Sequence, residues 1–131
     1  MVDRRKELGA RGEHGAGEFL TNQGYQLIDS NVRPMPGMAR GEIDFVAWHG
    51  EFLVFIEVKT RRVSVGNQGM PREAITIAKQ KQLSRLASFY VARYKLVDVA
   101  CRFDVVEVIV SRGQPTQFSL IPNAFDVTGI Y

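Results

Sequence analysis

Gly41-Glu-Ile-Asp-Phe-Val-Ala-Trp-His-Gly-Glu-Phe-Leu-Val-Phe-Ile-Glu-Val-Lys-Thr60 decides how the 131-residue chain is read. Two apolar, β-prone runs, Glu42 to Trp48 and Glu51 to Lys59, flank His49-Gly50, a two-residue hairpin turn in prospect. The second run contains Phe52-Leu-Val-Phe-Ile56, the longest apolar stretch in the chain, as expected of a central strand covered on both faces. Charged residues nevertheless interrupt both runs, where burial of an unpaired ion is costly.

With His49 and Gly50 in the turn, Trp48 faces Glu51, Asp44 faces Phe55 and Glu42 faces Glu57. Side chains two apart share a face, so Glu42, Asp44, Glu57 and Lys59 project together. Asp44 and Glu57 become diagonal neighbours with Cβ atoms about 7–8 Å apart, close enough for two carboxylates to reach one cation. Like charges on an apolar sheet need a proton or a cation between them, and Lys59 cannot neutralise three carboxylates. Hard oxygen donors with no histidine or cysteine cluster suit Mg²⁺ or Mn²⁺. A buried ion-pair network of Glu57 with Lys59 or nearby arginines is the competing reading; the like-charge argument favours the metal.

Outward from this hairpin, Arg4 to Gln23 reads as a helix with Leu8, Gly12, Ala16, Phe19 and Leu20 on one stripe and Gly24 as terminator. Gly9, Gly12, Gly15 and Gly17 weaken it by about 1 kcal/mol each relative to Ala, so close packing of the backbone against a sheet, or an approach to a ligand, must compensate. Tyr25 to Asn31 is a first strand. Beyond the hairpin lies a loop from Thr60 to Met70. Pro71 then opens a helix to about Tyr94 that buries Leu83, Leu86, Ala87, Tyr90 and Tyr94. Cys101 to Val110 and Thr116 to Ile121 are further strands. The order α-β-β-β-α-β-β gives an α/β fold, a mixed sheet flanked by helices.

Length and 45% hydrophobic content fit a single globular domain, residues 1–131, and not a disordered or fibrous chain. No apolar run approaches the roughly 18–20 residues of a membrane helix, and no apolar segment follows the basic N-terminus, so a cytoplasmic protein is expected. A single cysteine, Cys101, excludes an internal disulfide or a CxxC motif. The net charge of +3 is uneven: residues 1–95 carry +5 and residues 96–131 carry −2. That excess suits a polyanion but is also ordinary for a soluble domain. Phosphate loops, HExxH and GxSxG are absent, and Gly15-Ala-Gly17 lacks both the preceding strand and the third glycine of a dinucleotide fingerprint.

Asp44 followed by Glu57-Val-Lys59 resembles the core of PD-(D/E)XK nucleases, with Ile43 standing where the motif name has Pro. More closely, the chain resembles the uncharacterised protein family 0102 (YraN-type), itself similar to archaeal Holliday-junction resolvases. The resemblance rests on Gly12-Glu13, Phe19-Leu20, Gly24-Tyr25, Asn31-Val-Arg33, Gly41-Glu-Ile-Asp44 and Phe55-Ile-Glu-Val-Lys-Thr-Arg61. Pro71-Arg-Glu-Ala74, Lys79-Gln-Lys81, Ala87 and Arg102-Phe-Asp-Val-Val106 extend it, so it spans about residues 7–110, leaving a C-terminal strand and tail over 111–131. The loop Arg62 to Met70 is longer than the compact loop common in the family.

The resemblance implies a restriction-endonuclease-like fold and a Mg²⁺- or Mn²⁺-dependent endonuclease, an endodeoxyribonuclease cutting branched DNA as a homodimer. Asp44 and Glu57 would hold the metal, Glu13 would join them from the first helix, and Lys59 would orient water or stabilise the phosphorane charge. A non-catalytic nucleic-acid-binding module of the same fold is the alternative; a protein-interaction adaptor would leave the carboxylates unexplained. Arg33, Arg40, Arg61 and Arg62, on loops, and Lys79 and Lys81, on the second helix, are candidate phosphate contacts beside the default of solvation. Gln80 could likewise touch substrate. Glu42 is either an extra ligand or a partner of Arg40 or Lys59. Asp104, beside Arg102, reads as structural, Trp48, Phe52 and Phe55 as core, and His49 as a turn residue.

Overall fold

The computed structural model describes residues 15–33, 41–63 and 75–126. Within them, helix α1 (15–22) precedes strands β1 (Gln26–Val32), β2 (Ile43–His49) and β3 (Phe52–Arg62). Helix α2 (Ile77–Arg93) follows, then β4 (Cys101–Val110) and β5 (Gln117–Phe125). The element order is the one expected from the sequence. The strands form one five-stranded sheet in the order β1-β2-β3-β4-β5. Neighbours are antiparallel except β3 and β4, which run parallel because α2 carries the chain back across the sheet.

Period-two alternation divides the apolar residues of β3 between two cores. Leu53 and Phe55 pack with Val46 and Phe103 beneath Leu83, Leu86, Ala87 and Tyr90 of α2. Val54 and Ile56 turn the other way, joining Phe45, Ala47, Val106 and Val108 beneath Ala16 and Leu20 of α1. Burying each of these large side chains contributes about 1.5–3 kcal/mol. Two edge ladders are irregular: β1 carries a bulge between Leu27 and Asp29, and the β4–β5 register shifts between Phe103 and Val105.

The glycines of α1 are partly explained. A Cβ on Gly15 would meet the Phe118 ring at 2.6 Å, so the helix backbone lies directly on a β5 side chain. Gly24, at φ +91°, ends the helix: Tyr25 N–H donates to Leu20 O at 3.0 Å and Gly24 N–H to Thr21 O at 3.1 Å, the paired bonds of a Schellman stop. Leu8, Gly9 and Gly12 lie outside the described residues.

Several boundaries differ from expectation: β1 and β2 each lie one residue later, and β5 runs on to Phe125 instead of ending at Ile121. The hairpin turn is Gly50-Glu51, one residue later than expected, with His49 paired to Phe52 inside the ladder. Gly50, at φ +60°, takes the first turn position, where a left-handed backbone suits the hairpin twist. β3 runs on to Arg62, so Arg61 and Arg62 belong to a strand rather than a loop. Helix α2 begins at Ile77 with Thr76 as N-cap, whose side chain accepts from Lys79 N–H; the cap, not Pro71, sets the start. Tyr94 is the C-cap and half exposed, not buried. Phe52 is 42% exposed, with the Arg102 guanidinium over its ring, so it is not a core residue. No helix among the described residues is long and apolar enough to cross a membrane.

Candidate functional site

The antiparallel register of β2 and β3 ends at Phe45↔Ile56, so Asp44 and Glu57 follow immediately beyond the last ladder pair, one on each strand. The turn is displaced by one residue at each end, which preserves the parity of the faces. Phe45 and Ile56 both face α1, so the next pair turns towards α2. Alternation loosens at Asp44, because Ile43 before it also enters the α2-side core. The Asp44 carboxylate reaches into the opening between the strands, where Val58 N–H donates to Oδ2 at 2.7 Å. Asp44 is only 8% exposed, a buried carboxylate held by a strand backbone.

Glu57, Lys59 and Arg61 follow along the α2 face of β3. The parallel register with β4 sets Glu107 beside Lys59, and Glu107 is fully buried at 2% exposure. Arg61 Nε lies 3.8 Å from Glu107 Oε1. Glu107 escaped the reading of the sequence, although the signal that marked Glu57, a carboxylate inside an apolar strand, is equally present in Val105-Val-Glu-Val-Ile109.

The opening turn of α2 adds a further charge. Lys79 Nζ stands 3.5 Å from Glu57 Oε1. Thr76 Oγ1 accepts the Lys79 N–H at 3.1 Å, and Gln80 Nε2 donates to Ile75 O at 2.8 Å, so the Gln80 side chain fastens the start of its own helix. Lys81 is exposed. Among the described residues Glu42 pairs with Arg33, at 3.3 Å, and it no longer stands opposite Glu57. Arg62 is exposed at the end of β3. Glu13 and Arg40 lie outside the described residues. Among the described residues, no three His, Cys, Asp or Glu side chains converge on a point where a metal could sit. Asp44 and Glu57 are hard oxygen donors, of the kind that suits Mg²⁺ or Mn²⁺.

A second polar cluster occupies the opposite face, at the start of β3 and β4. Arg102 grips Asp104 with two hydrogen bonds, Nε to Oδ1 and Nη2 to Oδ2, both at 2.8 Å. Tyr25 Oη donates to Asp104 Oδ2 at 2.6 Å and Asn123 N–H to Oδ1 at 2.9 Å, which satisfies a carboxylate that is 1% exposed. His49 stacks on Tyr25, centroids 4.2 Å apart, and its Nδ1 lies 2.9 Å from Arg102 Nη2. Arginine only donates, so this Nδ1 accepts and a neutral His49 carries its proton on Nε2. His49 therefore serves a buried network rather than the turn. Burial, followed by the hydrogen bond to Asp104, pushes the Tyr25 phenol well above its ordinary pKa. The same carboxylate raises Arg102. Asp104 is structural, as its setting beside Arg102 suggested.

The chain matches the description "Uncharacterised protein family UPF0102" over residues 12–108. It is 48% identical over 120 residues to a UPF0102 protein of Symbiobacterium thermophilum, covering 92% of this chain and 97% of that one. A UPF0102 protein of Alkaliphilus metalliredigens is 44% identical over 120 residues, covering 92% and 98%. One from Geobacter sulfurreducens is 39% identical over 122 residues, covering 93% and 91%.

Proposed function

The chain belongs to the uncharacterised protein family UPF0102, and on that footing we propose that it is a metal-dependent endonuclease acting on nucleic acid, with branched DNA as the substrate class and a homodimer as the working form. The observation that carries this reading is that Asp44 and Glu57 stand just beyond the last β2–β3 ladder pair, Phe45↔Ile56, with Asp44 bound to the Val58 backbone and Lys59 two residues after Glu57 on β3. Two adjacent carboxylates on an apolar floor repel each other, a cost that a divalent cation removes. Asp44 and Glu57 would hold Mg²⁺ or Mn²⁺, with Glu13 as the further donor that the resemblance supplies.

Bound there, the cation would polarise a phosphodiester and neutralise charge developing at phosphorus. Asp44, fixed through Val58, sets the position of the site. Lys59 brings an ammonium to the same face, able to orient water or meet the phosphorane oxygens. Exposed Arg62 and Lys81 are suited to phosphate contacts outside the reacting centre, and Arg33 would contribute after leaving Glu42.

The alternative, a nucleic-acid-binding module without catalysis, draws support from Lys79, whose ammonium already compensates Glu57. Calorimetric titration with Mn²⁺ and Mg²⁺, comparing wild type with Asp44→Asn and Glu57→Gln, tests the site. Saturable binding lost in both variants is expected, followed by metal-dependent cleavage of branched over linear DNA or RNA. Salt-dependent DNA binding without metal binding or cleavage would favour the module. Light scattering decides between monomer and dimer.

A further inference from the structure

We infer that Lys79 is a tethered counter-cation, which competes with the divalent metal for Glu57 and so sets how readily the site loads. The inference rests on the metal-site reading above and concerns how that same site is controlled.

Lys79 occupies the first turn of α2, at the third position after the Thr76 cap. Backbone dipoles make this end of a helix positive, so carboxylates are favoured there and ammonium groups are not. The first turn of α2 contains no acidic residue at all. A lysine at this place is locally unfavourable, and the contact that offsets it is Glu57 Oε1, 3.5 Å away on β3. The capping bond from Lys79 N–H to Thr76 Oγ1 fixes where the side chain departs, and Gln80 holding Ile75 O stiffens the same turn.

The partners are unequally exposed. The Glu57 side chain is 14% exposed and that of Lys79 36%, so the carboxylate stays in place while the ammonium has an open route to water. A flexible four-carbon stem makes lysine suited to leaving, where a guanidinium fork would hold on. A metal arriving at Glu57 meets an oxygen already facing a positive charge. Loading through Oε1 therefore requires Lys79 to withdraw, and its departure costs the protein one ion pair.

The experiment is calorimetric Mn²⁺ titration of wild type, Lys79→Met, Lys79→Arg and Glu57→Gln, each checked for intact fold by circular dichroism. Lys79→Met should bind Mn²⁺ about two- to tenfold more tightly than wild type, because one repelling charge a few ångströms away has gone. Lys79→Arg keeps that charge and holds the carboxylate more firmly, so it should bind Mn²⁺ about two- to tenfold more weakly than wild type. Thermal melts give a second readout: without metal Lys79→Met melts below wild type, and Mn²⁺ raises its midpoint by more. The inference is overturned if Lys79→Met binds Mn²⁺ no more tightly than wild type while Glu57→Gln has lost binding. If none of the proteins takes up Mn²⁺, Lys79→Met included, the metal-site reading falls first and this inference with it.

Discussion

Val58 N–H donates to Asp44 Oδ2 at 2.7 Å, so the carboxylate that heads the candidate site also closes the gap where β2 and β3 part. One oxygen is committed to the backbone of the strand that carries Glu57 and Lys59. Position and chemistry are thereby coupled: Asp44 cannot move without disturbing the neighbours it works with.

The two roles separate by substitution. Asp44→Asn keeps a carbonyl oxygen for Val58, so urea unfolding should show a stability within about 1 kcal/mol of wild type, while Mn²⁺ binding is lost. Asp44→Ala strands the half-buried Val58 N–H and should cost about 1–3 kcal/mol. Equal stability of the two variants would show that the backbone bond contributes nothing.

Asp104 is held by Arg102, Tyr25 and Asn123 on the far face. Removing one member of a buried pair leaves an uncompensated charge, so Asp104→Ala should lose about 3–5 kcal/mol in urea unfolding. Mn²⁺ affinity, measured where the variant remains folded, should match wild type, because the cluster lies across the sheet from Glu57. A change in metal affinity without a change in stability would contradict the structural assignment.

Gly41 adopts φ +87°, and a Cβ there would come within 2.7 Å of the Gln82 side-chain amide. Gly41→Ala should destabilise by about 1–3 kcal/mol, from left-handed strain plus displacement of Gln82. Asp44 lies three residues on, so Mn²⁺ binding should also weaken in calorimetry. Wild-type stability would mean that the backbone here relaxes freely.

Burial, with Asp29 nearby, pushes the Tyr90 phenol up to about 12. Its folded-state pKa exceeds the ordinary value of about 10, so the proton stabilises the fold. That contribution is complete below pH of about 10 and is lost as pH rises towards about 12, the folded value. Unfolding free energy should decline over that interval, and Tyr90→Phe should remove part of the decline. An ultraviolet titration in which every tyrosine ionises near its ordinary pKa would refute this.

What the sequence revealed followed from strict alternation. Charges set in apolar strands marked Asp44, Glu57 and Lys59, and their shared face survived an error in the turn because that error preserved parity. The turn lies one residue later than its spacing suggests, since His49 looks like a loop residue until Tyr25, distant in the chain, provides a ring to stack on. The contact of Lys79 with Glu57 was beyond reach for another reason: it depends on how α2 is rotated above the sheet, which no spacing within α2 specifies. Glu107 needed the parallel β3–β4 register, and that is fixed only once the crossover has closed.

The bulge in β1 and the register shift at β5 bear on how the molecule behaves in a crowd of its own copies. Both outer strands carry a residue with left-handed backbone, Asn31 at φ 51° and Asn123 at φ 50°, and β5 also contains Pro122, which has no N–H to offer. An incoming strand finds a broken rhythm of donors and acceptors at either rim, a poor template for runaway stacking into fibrils. Self-association by a continuous sheet is thereby discouraged, so the dimer proposed above is expected to use side chains instead of shared backbone ladders.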